Sequence, residues 1–262
     1  MPTESVNGIT IAYEMSGDGP PVMLLTGLGG AGRAWGSHRE RFAEEFLTVT
    51  PDHRGTGNST RAPAGYTIGE HARDMAGLLR TLETGPAHVI GSSTGGAIAQ
   101  VMALDHPDVV RSITLVSSWA GPDPYFEREF AARKLVLETL GGSAYLEASA
   151  LFLFAPSFTS ERPDSVDAWI QKAGMGGVDT EIMARRIDMI LAHDERARLS
   201  SVDVPTLVVV GDEDLCTPPH LSRELAESIP GARLELLPGG HLVYIENPDG
   251  FFETVVGFIR DH

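Results

Sequence analysis

The chain has 262 residues, which fits one large domain or one domain carrying an insertion, with a core that needs no disulfide staples. Hydrophobic residues make up 42%, as in water-soluble globular proteins, and no apolar run reaches the roughly 18 residues needed to cross a bilayer. Twenty Lys and Arg against 36 Asp and Glu give a formal charge of −16, which argues against nucleic acid and anionic membranes as partners. The first residues, MPTESVNG, lack the basic and apolar regions of a secretory signal, and Cys216 is the single cysteine. A reducing, cytoplasmic setting is therefore expected. Self-association to a homo-oligomer stays open.

Short apolar runs alternate with amphipathic stretches, the βαβ signature of a mostly parallel sheet flanked by helices. Strands are expected at Gly8–Gly17, Pro21–Gly27, Phe46–Asp52, Ala87–Ser92, Val110–Ser118, Pro205–Asp214 and Ala232–Gly240. Helical spacing runs from Thr67 to Glu83, with Ile68, Ala72, Met75, Leu78, Leu79 and Leu82 near one face. A second helix, Gly96 to His106, stops at Pro107, and a last one follows Pro248. The rhythm breaks from Trp119 to about Val202. Only helices are expected there, at Tyr125–Leu140, Ser143–Phe154, Ser165–Ala173 and Thr180–Ala192. The expected organisation is an α/β core of residues 1–118 and 203–262, with residues 119–202 as a helical cap. Caps are places where ligand choice can vary without disturbing a core.

Gly91-Ser92-Ser93-Thr94-Gly95 fits G-x-S-x-G with Ser93 at the centre; centring on Ser92 puts Ile90 in the first glycine position. A sharp strand-to-helix turn strains its central residue, needs small neighbours and lifts the central side chain off the sheet edge. A serine hydroxyl attacks only when a base takes its proton. Of nine histidines, His241 stands on a Gly-Gly loop just after the last expected strand and is the candidate base. His53, in a loop at the same edge, is the weaker alternative. His88 and His106 flank the elbow at the wrong ends of their elements, while His38, His71, His193, His220 and His262 read as surface or helix residues. An orienting carboxylate comes from GDEDLCTPP: Asp214 lies past the strand end, with Asp212 as the fallback and Glu213 behind it.

An oxyanion needs preorganised N–H donors. Thr94, directly after the serine, is one candidate. The other comes from TGLGGAG, where Leu28 is the choice and Gly29 the alternative. A glycine loop can also cradle phosphate, but no G-x-x-x-x-G-K-[ST] accompanies it, so no nucleotide role is expected. Without H-E-x-x-H or a cysteine cluster, neither a metal nor another cofactor is expected.

Five ordered motifs, TGLGG, PDHRGTGNS, GSSTGG, GDEDLCTPP and GGHLVYIENP, resemble the α/β-hydrolase superfamily over nearly the whole chain outside the cap. The stretches GLGGAGRAW, DHRGTGN and AYLEASALFLFAPSF are similar to small capped members such as 3-oxoadipate enol-lactonase and aminoacrylate hydrolase. The resemblance implies the order Ser93, Asp214, His241 of a catalytic triad. It also implies a structural role for the turn holding Asp52, Arg54, Gly55 and Gly57. Thr26, Ser92 and Thr94 depart from it, standing where histidine or larger apolar residues are common. Haloalkane dehalogenases and epoxide hydrolases place Asp at the nucleophile, and dienelactone hydrolases place Cys, so Ser93 separates this chain from them.

The expectation is a serine hydrolase whose partner is a small-molecule acyl substrate: a carboxylic ester, lactone or related amide. C–C bond hydrolysis of a diketone or dienoate, perhydrolysis, and a non-catalytic ligand receptor on the same scaffold are the alternatives. Trp35, Trp119 and Phe154, with Phe126, Phe152 and Trp169, are candidates for the pocket wall or for plain core. Arg128, Arg133, Arg185 and Arg186 read mostly as solvated helix faces, with a substrate carboxylate as the other use.

Overall fold

The computed structural model describes residues 1–262. In chain order the elements are β1 (Thr3–Val6), β2 (Ile9–Ser16), β3 (Pro21–Leu25), α1 (Ser37–Ala43), β4 (Leu47–Pro51), α2 (Ile68–Thr81), β5 (Ala87–Ser92), α3 (Thr94–Asp105) and β6 (Val110–Val116). Then come α4 (Pro124–Leu140), α5 (Gly142–Leu153), α6 (Pro156–Glu161), α7 (Pro163–Gly174) and α8 (Thr180–Leu191). The chain ends with β7 (Thr206–Gly211), α9 (Pro219–Ser228), β8 (Arg233–Leu237), α10 (Val243–Glu246) and α11 (Pro248–Arg260).

The eight strands form one sheet in the order β1-β2-β4-β3-β5-β6-β7-β8. The β1–β2 and β2–β4 pairs are antiparallel, and the pairs from β4–β3 to β7–β8 are parallel. The extended run from Gly8 is preceded by β1, which the strand pattern alone does not reveal. Its signal is Asn7-Gly8: both residues adopt positive φ, 50° and 79°, as a two-residue hairpin turn of matching twist requires. Helix α6 falls where the run Pro156–Asp164 suggests only a break, because Pro156 and Pro163 each open a new helix at the first turn.

Alternate residues of the central strands feed two cores. Val22, Leu24, Ile90, Leu207 and Val209 face α1 and α11, against Phe42, Phe46, Phe251 and Val255. Met23, Leu25, Val89 and Val208 face α2, α3 and α9, against Met75, Leu78, Ile98 and Leu225. This is the period-2 pleat of a sheet buried on both sides, which is why these strands read as continuous apolar runs.

The chain leaves β3 toward β4 and returns to place β5 on β3's other side, so the strand order reverses between β3 and β5. Loops at the carboxyl ends of such a pair flank a crevice where ligands bind in open α/β sheets. The loop after β3 and the turn after β5 are brought together by the register Leu25 to Gly91. Close packing at this point depends on Gly95, since a methyl there would overlap the Leu25 and Thr26 carbonyls. Gly95→Ala is expected to lower stability by about 1–3 kcal/mol, the usual cost of overpacking. The measurement is the thermal midpoint followed by circular dichroism.

Candidate active site

β5 ends at Ser92 and α3 begins at Thr94, so Ser93 alone turns the chain. Its backbone sits at φ 54° and ψ −115°, a conformation that costs a non-glycine residue on the order of 1–3 kcal/mol. Neighbouring hydrogen bonds over-determine it. The Ser93 N–H donates to the Val116 carbonyl at 2.7 Å. The Ser93 carbonyl accepts from the Gly96 N–H at 2.8 Å and from the Ser118 hydroxyl at 3.0 Å. A methyl at Gly91 would overlap Gly95, and one at Gly96 would press on Ser118. The glycine spacing is thus a steric requirement of the turn.

Asp214 lies three residues past the end of β7, and His241 follows β8. Their loops meet closely: a methyl on Gly211 would overlap the Gly239 and Gly240 carbonyls. His241 Nδ1 lies 3.0 Å from Asp214 Oδ2 and 3.1 Å from Oδ1. The carboxylate also accepts the Cys216 and Thr217 N–H groups at 2.9 and 2.8 Å and the Thr217 hydroxyl at 2.9 Å. Every partner of Asp214 is a donor, so Nδ1 carries the proton and Nε2 is left as the basic nitrogen. Ser93, Asp214 and His241 are 7%, 2% and 2% exposed, so all three are buried. Asp212 instead accepts the Gly239 N–H, and Glu213 accepts the Ser157 hydroxyl. His53 is fully buried with no carboxylate beside it; its Nδ1 faces Arg186. Neither Asp212, Glu213 nor His53 joins the pair.

The loop after β3 runs alongside Ser93. A methyl at Gly27 would sit 3.4 Å from Ser93 Cβ and 3.9 Å from Oγ. The Gly27 carbonyl accepts the Gly30 N–H at 3.0 Å, closing a tight turn in which the Leu28 and Gly29 N–H groups meet no acceptor within the protein. Thr94 occupies the first position of α3, where a helix has no internal acceptor for the N–H. Gly27, Gly29 and Gly32 also stand at G-x-G-x-x-G spacing, a dinucleotide-loop pattern. Here no long helix opens behind it. Gly32–Trp35 is one turn of 3-10 helix, and the Gly32 N–H is taken by Asp52 at 2.8 Å.

The turn after β4 is a brace. Asp52 joins Gly32 to Asn58, and Arg54 makes a buried two-point contact with Asp74 on α2 at 2.6 and 2.8 Å. Among the aromatic candidates, Trp35 packs on Tyr244, Phe251 and His38, and Trp119 packs on Phe126 and His193. Phe154 packs on Phe158 and Trp169, and a methyl at Gly240 would overlap the Phe154–Ala155 peptide, so the helical insertion touches the His241 loop directly.

The four arginines of the insertion have separate fates. Arg128 is exposed, and Arg185 is paired with Glu181. Arg133 is buried against Glu129 at 2.8 Å, also reaching Ser149 and Tyr145. Arg186 is buried without an acid. For Arg133 and Arg186 a solvated face is therefore wrong; each lies on the inward side of its helix, in step with Phe126 and Phe130 or with Ile182 and Ile190. Thr217 and Tyr244 are further residues of the site. The first is signalled by its place three residues after Asp214. The second has no sequence signal: burial pushes its phenol up to about 12, with the Ser92 hydroxyl against it acting the other way.

The model of the alpha/beta hydrolase fold family matches residues 20–248. The chain belongs to the α/β-hydrolases. The hydrolase is 37% identical over 259 residues to a protein of Azorhizobium caulinodans provisionally named carbamate hydrolase RutD, covering 98% of both chains. A protein of Caulobacter segnis with the same name is 34% identical, with 99% of each covered. Among solved structures, the enol-lactonase of Burkholderia xenovorans superposes with TM-score 0.89 at 30% identity, covering 99% of this chain and 100% of that one. An N-acyl homoserine lactone degrading enzyme superposes with TM-score 0.84 at 31% identity, covering 98% and 100%. No helix of the hydrolase is long and apolar enough to cross a membrane.

Burial governs the hydrolase's other histidines. His38, His53, His71, His88 and His193 are all buried; His38 and His71 lie on helices α1 and α2, whereas His193, expected on the surface or on a helix, is in a buried loop. Desolvation holds all five below the usual imidazole value, His88 and His193 down to about 4 and His53 and His71 well below it. Between those values and the unfolded value near 6.5, the unfolded chain binds more protons, so stability is lost as pH falls through that window. Desolvation lowers the half-buried His106 as well, and Glu129 and Glu246, raised by burial, act in the opposite sense but are two against six. The thermal midpoint is expected to fall from pH 7 to pH 5, and to fall less in His193→Gln; melting curves across that range check this.

Proposed function

We propose that this chain is a cofactor-independent serine hydrolase of a small carboxylic ester, lactone or related acyl compound. The observation that carries the reading is the strained turn presenting Ser93 beside the Gly27–Leu28 loop, together with the buried His241–Asp214 pair at neighbouring strand ends. The Ser93 hydroxyl attacks the carbonyl carbon while His241 Nε2 takes its proton. The carbonyl oxygen becomes an oxyanion that accepts the Leu28 and Thr94 N–H groups. His241 returns the proton to the leaving group. It then deprotonates the water that releases the acid from the acyl-enzyme. Asp214 holds the imidazole in the tautomer this needs and stabilises the imidazolium. Residues 119–202 form the cap that closes the site and chooses the substrate.

Two features support a small, polar acyl group. Ser93 is itself nearly buried, and the Thr26 and Thr94 hydroxyls, next to Gly27 and Ser93, are buried without partners. Hydroxyls so placed suit polar atoms of a substrate held at Ser93, since each can donate and accept a hydrogen bond. The names of the relatives point the same way, carbamates and lactones both being acyl compounds. The cytoplasm is the proposed setting.

A panel of p-nitrophenyl esters, enol-lactones, carbamates and diketones, with a fluorophosphonate probe, tests the reading. Labelling is expected at Ser93, with hydrolysis fastest among short acyl substrates. Ser93→Ala is expected to lower kcat roughly 10⁴-fold or more in a folded sample. Asp214→Asn should lower it by roughly 10³ to 10⁴. Near-normal turnover by Ser93→Ala would refute the assignment.

A further inference from the structure

Arg186, on α8 of the helical insertion, is fully buried and meets no carboxylate. Each of its three nitrogens nonetheless has a partner. Nε donates to the Leu28 carbonyl at 2.7 Å, and one terminal nitrogen donates to His71 Nε2 at 2.9 Å. The other lies 3.1 Å from His53 Nδ1 and 3.5 Å from the Gly27 carbonyl. His71 Nδ1 faces the Thr67 carbonyl at 2.8 Å, so that nitrogen carries the ring proton and Nε2 is a true acceptor. Burial, the nearby Arg186 charge and, for His53, the neighbouring His71 keep both rings neutral, and Arg186 itself is lowered to about 10 by desolvation. A buried cation surrounded only by neutral acceptors is costly to keep, and replacement by an apolar side chain of similar volume commonly stabilises a fold.

Its targets are the two successive carbonyls of the oxyanion loop. In a trans peptide the C=O and N–H point opposite ways. Drawing the Leu28 carbonyl onto Arg186 at 2.7 Å therefore turns the Gly29 N–H away from the arginine, and the Gly27 carbonyl, held by the Gly30 N–H at 3.0 Å with Arg186 at 3.5 Å, turns the Leu28 N–H the same way. The loop is fitted to this clasp: Gly30 has φ 70°, and a methyl there would lie 2.9 Å from an Arg186 nitrogen and 2.8 Å from Thr56.

We propose that Arg186 is a positioning residue for the oxyanion hole, a fork reaching from the insertion that orients the Leu28 and Gly29 N–H groups and sets an unneutralised positive charge behind the loop where negative charge develops. The inference rests on the serine-hydrolase reading above. Its effect belongs to the transition state: a misaimed donor weakens the hold on the oxyanion while leaving ground-state binding little changed.

The test compares wild type, Arg186→Met, Arg186→Lys and the control Arg185→Met. The readouts are the second-order rate of Ser93 phosphonylation by a fluorophosphonate, and kcat and KM for p-nitrophenyl acetate. Folding is checked by circular dichroism. Removing one oxyanion donor costs about 10²- to 10³-fold. A folded Arg186→Met protein is accordingly expected to lose about 10²-fold in labelling rate and kcat, with KM changed less than about threefold. The lysine variant, which keeps charge without the fork, should regain part of the loss, and Arg185→Met should label like wild type. Labelling of folded Arg186→Met at the wild-type rate, or an effect confined to KM, overturns the proposal. If the methionine variant does not fold, the lysine variant decides: a drop of about tenfold in labelling supports the fork, and the wild-type rate overturns it. Failure of the wild type to label refutes the serine-hydrolase reading itself, a result separate from any difference among variants.

Discussion

The left-handed backbone at Ser93 is the constraint around which the molecule is arranged. At this one residue a strand buried on both faces passes into a helix packed on one of them. The strain is not relieved locally. It is contained by β6, which supplies the Val116 carbonyl, by the loop after it, which supplies the Ser118 hydroxyl, and by Gly91, Gly95 and Gly96, which let β5, α3 and the loop after β3 approach without side chains between them. β6 itself ends in another left-handed residue, Ser117 at φ 49°, whose N–H is held by Val209 of β7. The turn is thus braced through two strands, and the second of them is the one that carries Asp214.

Much of this architecture is legible in the sequence because the physics is local or periodic. Strands buried on both faces read as apolar runs, α2 shows its stripe and its Thr67 cap, and proline marks helix starts. The first hairpin strand is not visible as a strand, since Thr3–Val6 has only one buried residue, and its mark is the Asn7-Gly8 turn alone. At the site, motif spacing singles out Ser93, and placement after strand ends singles out Asp214 and His241. The partners that hold them come from far along the chain. Ser118 reaches Ser93 from 25 residues away, and Arg186 reaches Leu28 from 158. No local pattern encodes such a pairing. What the sequence does hold is a weaker sign: an arginine in step with isoleucines on one helix face is either a buried charge or a misplaced one.

The buried polar groups divide into two kinds. Arg54 with Asp74, Asp52 with its backbone donors, and Arg133 with Glu129 are satisfied networks that tie elements together and leave nothing for a ligand except Glu129 Oε2. Thr26, Thr94 and the indole nitrogen of Trp119 remain without partners, and the two threonines adjoin Ser93 and Gly27 in sequence. Thr50, Ser117 and Ser222, elsewhere in the core, also keep unpartnered hydroxyls, so it is the position of Thr26 and Thr94 beside Gly27 and Ser93, and not their being unpaired, that sets them apart.

The anchoring of Arg186 in the loop after β3 also bears on how such a protein can diversify. A library that randomises the helical insertion to shift substrate choice treats it as an exchangeable module. One of its side chains nevertheless belongs to the other module, sharing four acceptors with the core. Outward positions such as Leu135, Leu140 and Leu151 are free to drift, whereas position 186 must travel with Gly27, Gly30, His53 and His71. Grafting an insertion from a relative then requires transplanting a five-residue set scattered over the whole chain, not a continuous segment.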